Sequence, residues 1–341
     1  YYKEWRFVFT MRILIFVYAL FFSVNSFFLL PCFSQTNNSQ DQLLIGLDSE
    51  PERLNPITLK DPKTFKIAWQ IYEGLIGLDE DGHVIPKIAE KWETEDNKTW
   101  IFHIRKGIKF HTSDIFDTPD KTRTVTAHDV LYSYTRFCSS EAYPSFVIKD
   151  SIKGASEYNA KKVDSVEGLK VIDDYTLQIE LNKPEPFFLN RITTPWIAIF
   201  PREAENDKFK DKWGFQIAVG TGPYQLISNN DNEVILEAQN NYWDKARVPK
   251  IGRLVYRIIK NDQLRFSQLQ RDNINLMELP NTLFPLVFDN DGTLKEKYMH
   301  NFTIKPARTF NTHFIGMNLK KIQDVHLRRA MFYVTCRNKI N

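Results

Sequence analysis

Short stretches of alternating apolar and polar residues, separated by helical stretches, constrain this chain more than any other feature. The cleanest, residues 175–181, sets apolar positions against Thr176, Gln178 and Glu180, which is the two-residue period of a half-buried strand. Residues 99–105 alternate likewise and place aromatic side chains on one face. Because strands and helices are interspersed, the fold class is α/β or α+β. Further strands are predicted at residues 43–47, 234–238, 254–259 and 274–279.

Capping residues predict where the helices begin. Asp61 followed by Pro62 is an N-cap with proline at the first helical position. This helix is expected to bury one stripe of apolar side chains, namely Phe65, Ala68, Trp69 and Tyr72. Residues 126–129 form a capping box at the start of a second helix. Two later helices are predicted to be capped by Asp262 and Asp324.

Composition and charge limit the class of protein. The 45 Lys and Arg residues nearly balance the 42 Asp and Glu residues, so the strong basic excess of a nucleic-acid binder is missing. With 43% apolar and 26% charged residues, the chain fits neither a disordered nor a collagen-like class. Its 341 residues suffice for two domains. We expect an electrically balanced globular protein that does not bind nucleic acid and is monomeric.

The N-terminal segment predicts export. From Met11, taken as the natural start, Arg12 precedes an apolar run over residues 13–30, the layout of a secretory signal over residues 11–34. Three outcomes stay open: cleavage before Gln35, acylation at Cys32, and an uncleaved anchor. Residues 29–32 resemble a lipoprotein signal, although Pro31 departs from that pattern. All three place the rest of the chain outside the cytoplasm.

Signatures of catalysis and metal binding are missing from the sequence. It contains no GxSxG, Walker A, GxGxxG or HExxH pattern, and its seven His residues do not cluster with Cys. The acidic stretch at residues 79–82 fits a hairpin turn better than a calcium loop, and residues 220–222 fit a tight bend. Cys138 and Cys336 are either buried thiols or a pair. We therefore expect no enzyme, no cofactor and no metal.

Several segments, in collinear order over about residues 43–340, resemble family 5 of the extracytoplasmic solute-binding proteins, which serve ATP-driven importers of peptides, dipeptides and nickel. Its central signature is similar to IPKIAEKW at residues 85–92 and TWIFHIRKGIKFH at residues 99–111. The family's usual Asp-Gly after His111 is replaced by Thr112 and Ser113. The other matching segments are residues 54–56, 70–75, 125–130, 220–224, 241–243, 314–318 and 324–330.

The resemblance implies a fold and a domain organisation. The fold would be α/β, of the periplasmic-binding-protein-like type II, multi-lobed with mixed sheets flanked by helices, and incomplete in this chain. Domain I would combine residues 35–72 and 202–304, domain II would be the insertion 73–201, and residues 305–341 would begin domain III. We expect this chain, expressed alone, to bind no peptide, because most of the third domain would be missing.

The resemblance also implies a function and a set of ligand-binding residues. Two lobes would close over an extended peptide and deliver it to the permease and ATPase of an ABC transporter in the membrane, from the periplasm or the membrane's outer face. The cargo alternatives are a nickel complex, haem and an oligosaccharide; an exported hydrolase is the alternative from another class. An acidic residue facing the cleft from domain III would favour peptides. The ligand-lining positions are Asp61, Pro62, Tyr143, Met277, Glu278 and Leu279, for each of which packing, a cap or a turn is the competing interpretation.

Overall fold

The computed structural model describes residues 41–194, 196–299, 302–305 and 316–334. The predicted signal, Cys32 and Cys336 lie outside the described residues. The strands are β1 Gln42–Leu47, β2 Ile76–Leu78, β3 Val84–Pro86, β4 Ala89–Glu93, β5 Thr99–Ile104, β6 Leu169–Asp173, β7 Thr176–Glu180, β8 Tyr224–Asn229, β9 Glu233–Ala238, β10 Arg253–Ile258 and β11 Leu276–Met277. The helices are α1 Pro62–Ile71, α2 Ala127–Cys138, α3 Ala155–Asn159, α4 Phe188–Ile192, α5 Asp262–Gln270, α6 Phe284–Val287, α7 Glu296–Met299 and α8 Val325–Val334.

Two larger sheets organise the described chain. One is mixed, in the order β11-β1-β10-β9-β8, with β1 parallel to both of its neighbours and the remaining pairs antiparallel. The other is antiparallel, in the order β4-β5-β7-β6. Strands β2 and β3 form a separate hairpin. A mixed sheet and an antiparallel sheet, with helices between their strands, confirm the predicted α/β class.

The antiparallel sheet is built on the predicted aromatic strand. Trp100, Phe102 and Ile104 of β5 are buried, and β7 pairs with β5 along its length. Helix α2 contacts β6 and β7 and begins at the predicted capping box, where an Asp129 carboxylate oxygen accepts the Thr126 N–H at 2.9 Å. The prediction for this region is confirmed because its signals are local: side-chain alternation and a capping box of four consecutive residues.

Three predictions of local structure need correction. Trp69 is 56% exposed, because a helix turns 100° per residue and the buried arc of α1 is centred on Ala68 and Ile71, which leaves Trp69 beyond its edge. The cap of α5 is Asn261, whose side chain accepts the Leu264 N–H at 2.8 Å; Asp262 is the first helical residue instead. Strand β11 contains only Leu276–Met277 of the predicted strand at residues 274–279.

The predicted hairpin at residues 79–82 is confirmed. One Asp79 oxygen accepts the backbone N–H groups of Asp81 and His83 at 3.0 and 2.8 Å, which closes the turn between β2 and β3. The three side chains come within 4.8 Å of one another and all are exposed. The turn's own hydrogen bonds therefore explain why these side chains cluster.

A contiguous apolar core extends from Leu54 to Tyr256 and includes side chains of both large sheets. A second, smaller apolar cluster lies beyond it and contains Phe266, Leu283, Val287 and Tyr298. Among the described helices, none combines the length and the apolar character that crossing a membrane requires.

Candidate functional site

The start of helix α1 is held by Asp61, one of the predicted ligand-binding residues. A single Asp61 carboxylate oxygen accepts both the backbone N–H and the hydroxyl of Thr64 at 2.9 Å. Pro62 is the first residue of the helix, where its missing N–H costs nothing. Both residues thus have the structural role of a helix start, and they fix the position of the preceding loop.

That loop contacts Tyr143, which begins a 3-10 turn at Tyr143–Val147. The Tyr143 N–H donates to the Ile57 carbonyl at 2.9 Å, and the Lys60 ammonium lies 5.3 Å from the centre of the Tyr143 ring. Tyr143 is 45% exposed and its neighbour Phe146 is 51% exposed. Large aromatic side chains left this open to solvent on a folded protein are candidates for contact with a ligand.

Four aromatic side chains, hereafter the aromatic row, continue from Tyr143 to helix α1. Successive ring centres are 6.0 Å apart from Tyr143 to Phe146, 5.5 Å from Phe146 to Trp196 and 5.1 Å from Trp196 to Phe65. All three pairs meet edge to face, the arrangement that aromatic quadrupoles favour. The row therefore forms a fixed apolar surface that is buried at Phe65 and open at Tyr143.

The other predicted positions lie at the end of β11. Met277 and Leu279 are partly buried and pack on the smaller apolar cluster. Glu278 points outward, with 78% of its side chain exposed, and its carboxylate lies 2.7 Å from the Lys66 ammonium of α1. Packing is thus the observed role of Met277 and Leu279, whereas Glu278 remains open to a ligand.

The structure links the predicted residues through α1 and its preceding loop. Tyr143 contacts Lys60 in that loop, and Glu278 contacts Lys66 in the helix. The sequence prediction missed Lys60, Phe146 and Trp196. The three-residue spacing from Tyr143 was an available signal for Phe146, and the position next to Asp61 was one for Lys60. Trp196 comes from a distant segment and has no local signal.

A buried carboxylate lies just beyond the end of α1. Glu73 accepts hydrogen bonds from the Tyr242 hydroxyl at 2.6 Å, the Trp243 indole N–H at 2.7 Å and the Thr221 hydroxyl at 3.0 Å. The Lys87 ammonium lies 3.6 Å away. Burial and the adjacent carboxylate raise the pKa of Tyr242, which therefore remains a hydrogen-bond donor. We call Glu73 and these four partners the carboxylate junction.

Glycines let the backbone segments meet at this junction. A Cβ on Gly220 would overlap the Ile71 carbonyl oxygen, and a Cβ on Gly222 would lie 2.5 Å from the Gln70 carbonyl oxygen. The tight bend predicted at residues 220–222 is confirmed. No larger residue could occupy these two positions without moving helix α1.

His111 completes the same region. Its Nε2 lies 2.8 Å from the Gly222 carbonyl oxygen, and the Gly220 N–H donates to its Nδ1 at 3.4 Å. This geometry requires the neutral ring with the proton on Nε2. Burial lowers the pKa of His111 to about 4, although the bond to Gly222 opposes that shift.

Two chain segments cross side by side next to the junction. The Ile199 N–H donates to the Glu73 carbonyl at 2.8 Å, and a Cβ on Gly74 would lie only 2.9 Å from the Ile197 carbonyl oxygen. One segment leads from α1 toward the antiparallel sheet, and the other leads back from it. Together with an open aromatic row, this geometry is typical of proteins that bind a ligand between lobes joined by paired crossing segments.

Comparison with known proteins agrees with that class. The chain belongs to the bacterial extracellular solute-binding proteins, family 5, whose model matches residues 83–341. Among curated relatives, the periplasmic oligopeptide-binding protein OppA of Salmonella typhimurium is 29% identical over 83% of this chain and 50% of its own. The dipeptide-binding protein of Escherichia coli is 28% identical over 86% of this chain and 54% of its own. The chain spans about half the length of the curated relatives it matches.

Solved structures confirm the fold. OppA of Burkholderia pseudomallei superimposes with a TM-score of 0.64 at 25% identity, over 72% of this chain and 48% of that one. Haemophilus influenzae OppA in complex with the peptide RPPGFSPFR gives 0.63 at 26% identity, over 72% and 48%. The predicted type II binding-protein fold is thus confirmed for the matched part of the chain, as is the predicted family.

Proposed function

We propose that this protein is the extracytoplasmic substrate-binding component of an ABC importer and captures oligopeptides or dipeptides. It would act in the periplasm or at the outer face of the membrane, as a monomer, and pass its ligand to a permease and ATPase complex. It would bind and release without breaking a bond. Membership of the solute-binding family and similarity to an oligopeptide-binding and a dipeptide-binding protein support this proposal.

The aromatic row is the observation that carries the proposal. Its open end offers two half-exposed rings, Tyr143 and Phe146, on which apolar side chains of a peptide can pack. Lys60 beside Tyr143 offers a positive charge at the same end. An apolar surface with a charged group at its edge suits a ligand with varied side chains and charged termini. Water-mediated hydrogen bonds to such a ligand would let the site accept peptides of several sequences.

We further propose that the predicted domains form separate lobes, which close over the ligand. Residues 35–72 and 202–304 would form one lobe, residues 73–201 the second, and residues 305–341 the start of a third. The mixed and the antiparallel sheet fall in the first and second of these ranges, and the paired crossing segments at Glu73 and Ile199 lie near their boundaries. A ligand that contacts both lobes only when they are closed would bind the closed state more tightly and so shift the population toward it.

Native mass spectrometry of the full-length protein isolated from its host tests the ligand class directly. We expect short peptides of mixed sequence to be released on denaturation. Calorimetric titration of the same preparation, stripped of ligand, should then show saturable binding of tripeptides or tetrapeptides. A preparation free of any peptide that also gives no heat with them would refute the proposal.

A pair of substitutions tests the aromatic row. Replacing Tyr143 and Phe146 together by alanine removes two partly exposed rings, so we expect peptide affinity to fall by about 10- to 100-fold. The control is Ile172→Ala on β6, whose side chain is 52% exposed and which belongs neither to the row nor to the predicted ligand-binding residues. Equal affinities of the double variant and the control would contradict a role for the row.

Haem is the alternative cargo with a specific observation behind it. The heme-binding protein A of Haemophilus influenzae is 30% identical over 80% of this chain and 48% of its own. A haem ligand would give the isolated protein a Soret absorbance band, whereas bound peptides would not. This measurement on the same preparation separates the two cargoes.

A further inference from the structure

A second concave site lies away from the aromatic row. It is a cavity of about 830 Å³, and its lining shares no residue with the predicted ligand-binding positions. We call it the basic cleft because its charged lining consists of four basic and two acidic residues, namely Arg105, Lys106, Lys109, Lys245, Glu90 and Asp120. The volume falls within the range of sites that hold small organic molecules.

The charged side chains of the basic cleft form no direct ion pairs within the described part of the protein, although Lys106 lies close enough to Asp173 to contribute to lowering the pKa of that carboxyl. None of the six charged residues forms an ion pair within 4.0 Å with another described residue. The Arg105 guanidinium lies 5.4 Å from the Trp243 ring centre, and its Nε donates to a backbone carbonyl. Lys106 lies 5.3 Å from the Tyr175 ring centre. Contacts with aromatic rings hold these two cations in place without neutralising them.

The local charge contrasts with that of the whole chain. Four cations and two anions give the cleft a net charge of +2 by formal count, within a chain whose total is only +3. Like charges gathered in a concave site raise the local concentration of counterions. Neutral hydrogen-bonding side chains complete the lining and offer further contacts to a polar ligand, namely Thr112, Thr122, Gln239 and Asn241.

We propose that the basic cleft binds a small polyanion, a compound that carries phosphate groups or an equivalent cluster of negative charge. Lysine ammonium groups bind phosphate as point charges, and the guanidinium of Arg105, beside the Trp243 ring, offers its remaining N–H groups in a planar fork. Lys109 and Lys245 approach from separate segments of the chain, so a ligand with two or more charges would engage both. The polyanion site is independent of peptide binding, because it uses no residue of the aromatic row.

Calorimetric titration with pyrophosphate at low ionic strength tests this site. We expect saturable binding that weakens as salt is added toward about 0.15 M, because exposed charges are screened over roughly 8 Å there. The double variant K109Q/K245Q removes two of the four cations and should weaken pyrophosphate binding by about tenfold or more. Its matched control is K170Q/K212Q, which makes the same charge change at two exposed lysines outside the cleft.

The control variant should bind pyrophosphate within about twofold of the parent protein. Thermal unfolding of both variants confirms that each is folded. Equal weakening in both double variants would overturn the proposal, as would failure of the parent protein to bind both pyrophosphate and the vesicles of the second arm. Either result would leave peptide binding at the aromatic row unaffected, so the two proposals fail separately.

A second arm identifies the source of the negative charge. Cosedimentation with phosphatidylglycerol vesicles that depends on Lys109 and Lys245 would support the site and assign it to a lipid headgroup. Pyrophosphate binding without vesicle binding would support the site and assign it to a soluble polyanion. Failure of both probes would overturn the proposal.

Discussion

Acidification is expected to destabilise this protein through His111. The ring is buried, and one of its nitrogens is a donor while the other is an acceptor: Nε2 donates to the Gly222 carbonyl, and Nδ1 accepts the Gly220 N–H. A second proton would have to be placed on Nδ1, facing that N–H. The folded state therefore resists protonation of His111, and the unfolded state does not.

The size of this effect follows from the pKa difference. Burial lowers the pKa of His111 from 6.5 to about 4, and each pKa unit corresponds to about 1.4 kcal/mol. Above pH 6.5 the ring is neutral in both states and adds no pH dependence. Between pH 6.5 and about 4 only the unfolded state gains the proton, so the free energy of unfolding falls by about 3 kcal/mol in total. Below about pH 4 this contribution levels off.

Urea unfolding of the parent protein and the variant His111→Gln, at several pH values from 7 to 4, measures the contribution. The variant should be less stable at pH 7, because the ring's packing is lost, but its stability should fall less steeply on acidification. The difference between the two proteins should shrink by about 3 kcal/mol across this range. Parallel stability curves would refute the assignment of the neutral, buried ring.

Two further variants test the carboxylate junction, and one labelling reaction tests a buried thiol at the end of α2. Gly220→Ala should lower the free energy of unfolding in the urea assay by about 3 kcal/mol or more, because the added Cβ would overlap a backbone carbonyl. The control Gly77→Ala should lower it by under about 1 kcal/mol, because that Cβ would meet only a flexible side chain. Glu73→Gln should lower the free energy of unfolding by about 2–4 kcal/mol, because it places an amide where three donors now meet a carboxylate. The control Glu95→Gln, at an exposed position, should leave the free energy of unfolding unchanged. Similar thermal midpoints for the two variants would contradict the hydrogen-bond network at Glu73. Burial raises the pKa of the Cys138 thiol to about 12, so iodoacetamide should label it only after unfolding. Detection of alkylated Cys138 in the native protein by peptide mass spectrometry would contradict this expectation.

Elements defined by local signals were predicted well. The alternation in β5 and the capping box of α2 each occupy a few consecutive residues, and both appear as predicted. The prediction for Trp69 was wrong because a 3.6-residue period identifies a helix but not the centre of its buried arc. That centre depends on which neighbours pack against α1, and neighbours distant in sequence leave no mark within the helix itself.

The candidate site shows the same limit more sharply. The aromatic row joins Phe65 to Trp196, which are separated by more than a hundred positions, so no spacing rule could assemble it. Glu73 likewise finds its donors at Thr221 and Tyr242, far along the chain. Resemblance to a family supplied the position of Tyr143, yet its contacts with the charged Lys60 and with the edge-to-face Phe146 ring are seen only in the folded chain.

The segments that make this sequence recognisable converge on the carboxylate junction. Glu73, Thr221 and Tyr242 belong to three of the matching segments, and the Thr221 and Tyr242 hydroxyls both donate to the Glu73 carboxylate. In this chain these residues build the framework of the fold. The segments shared with family 5 therefore indicate the architecture, and the proposed cargo must be determined from side chains outside these three segments.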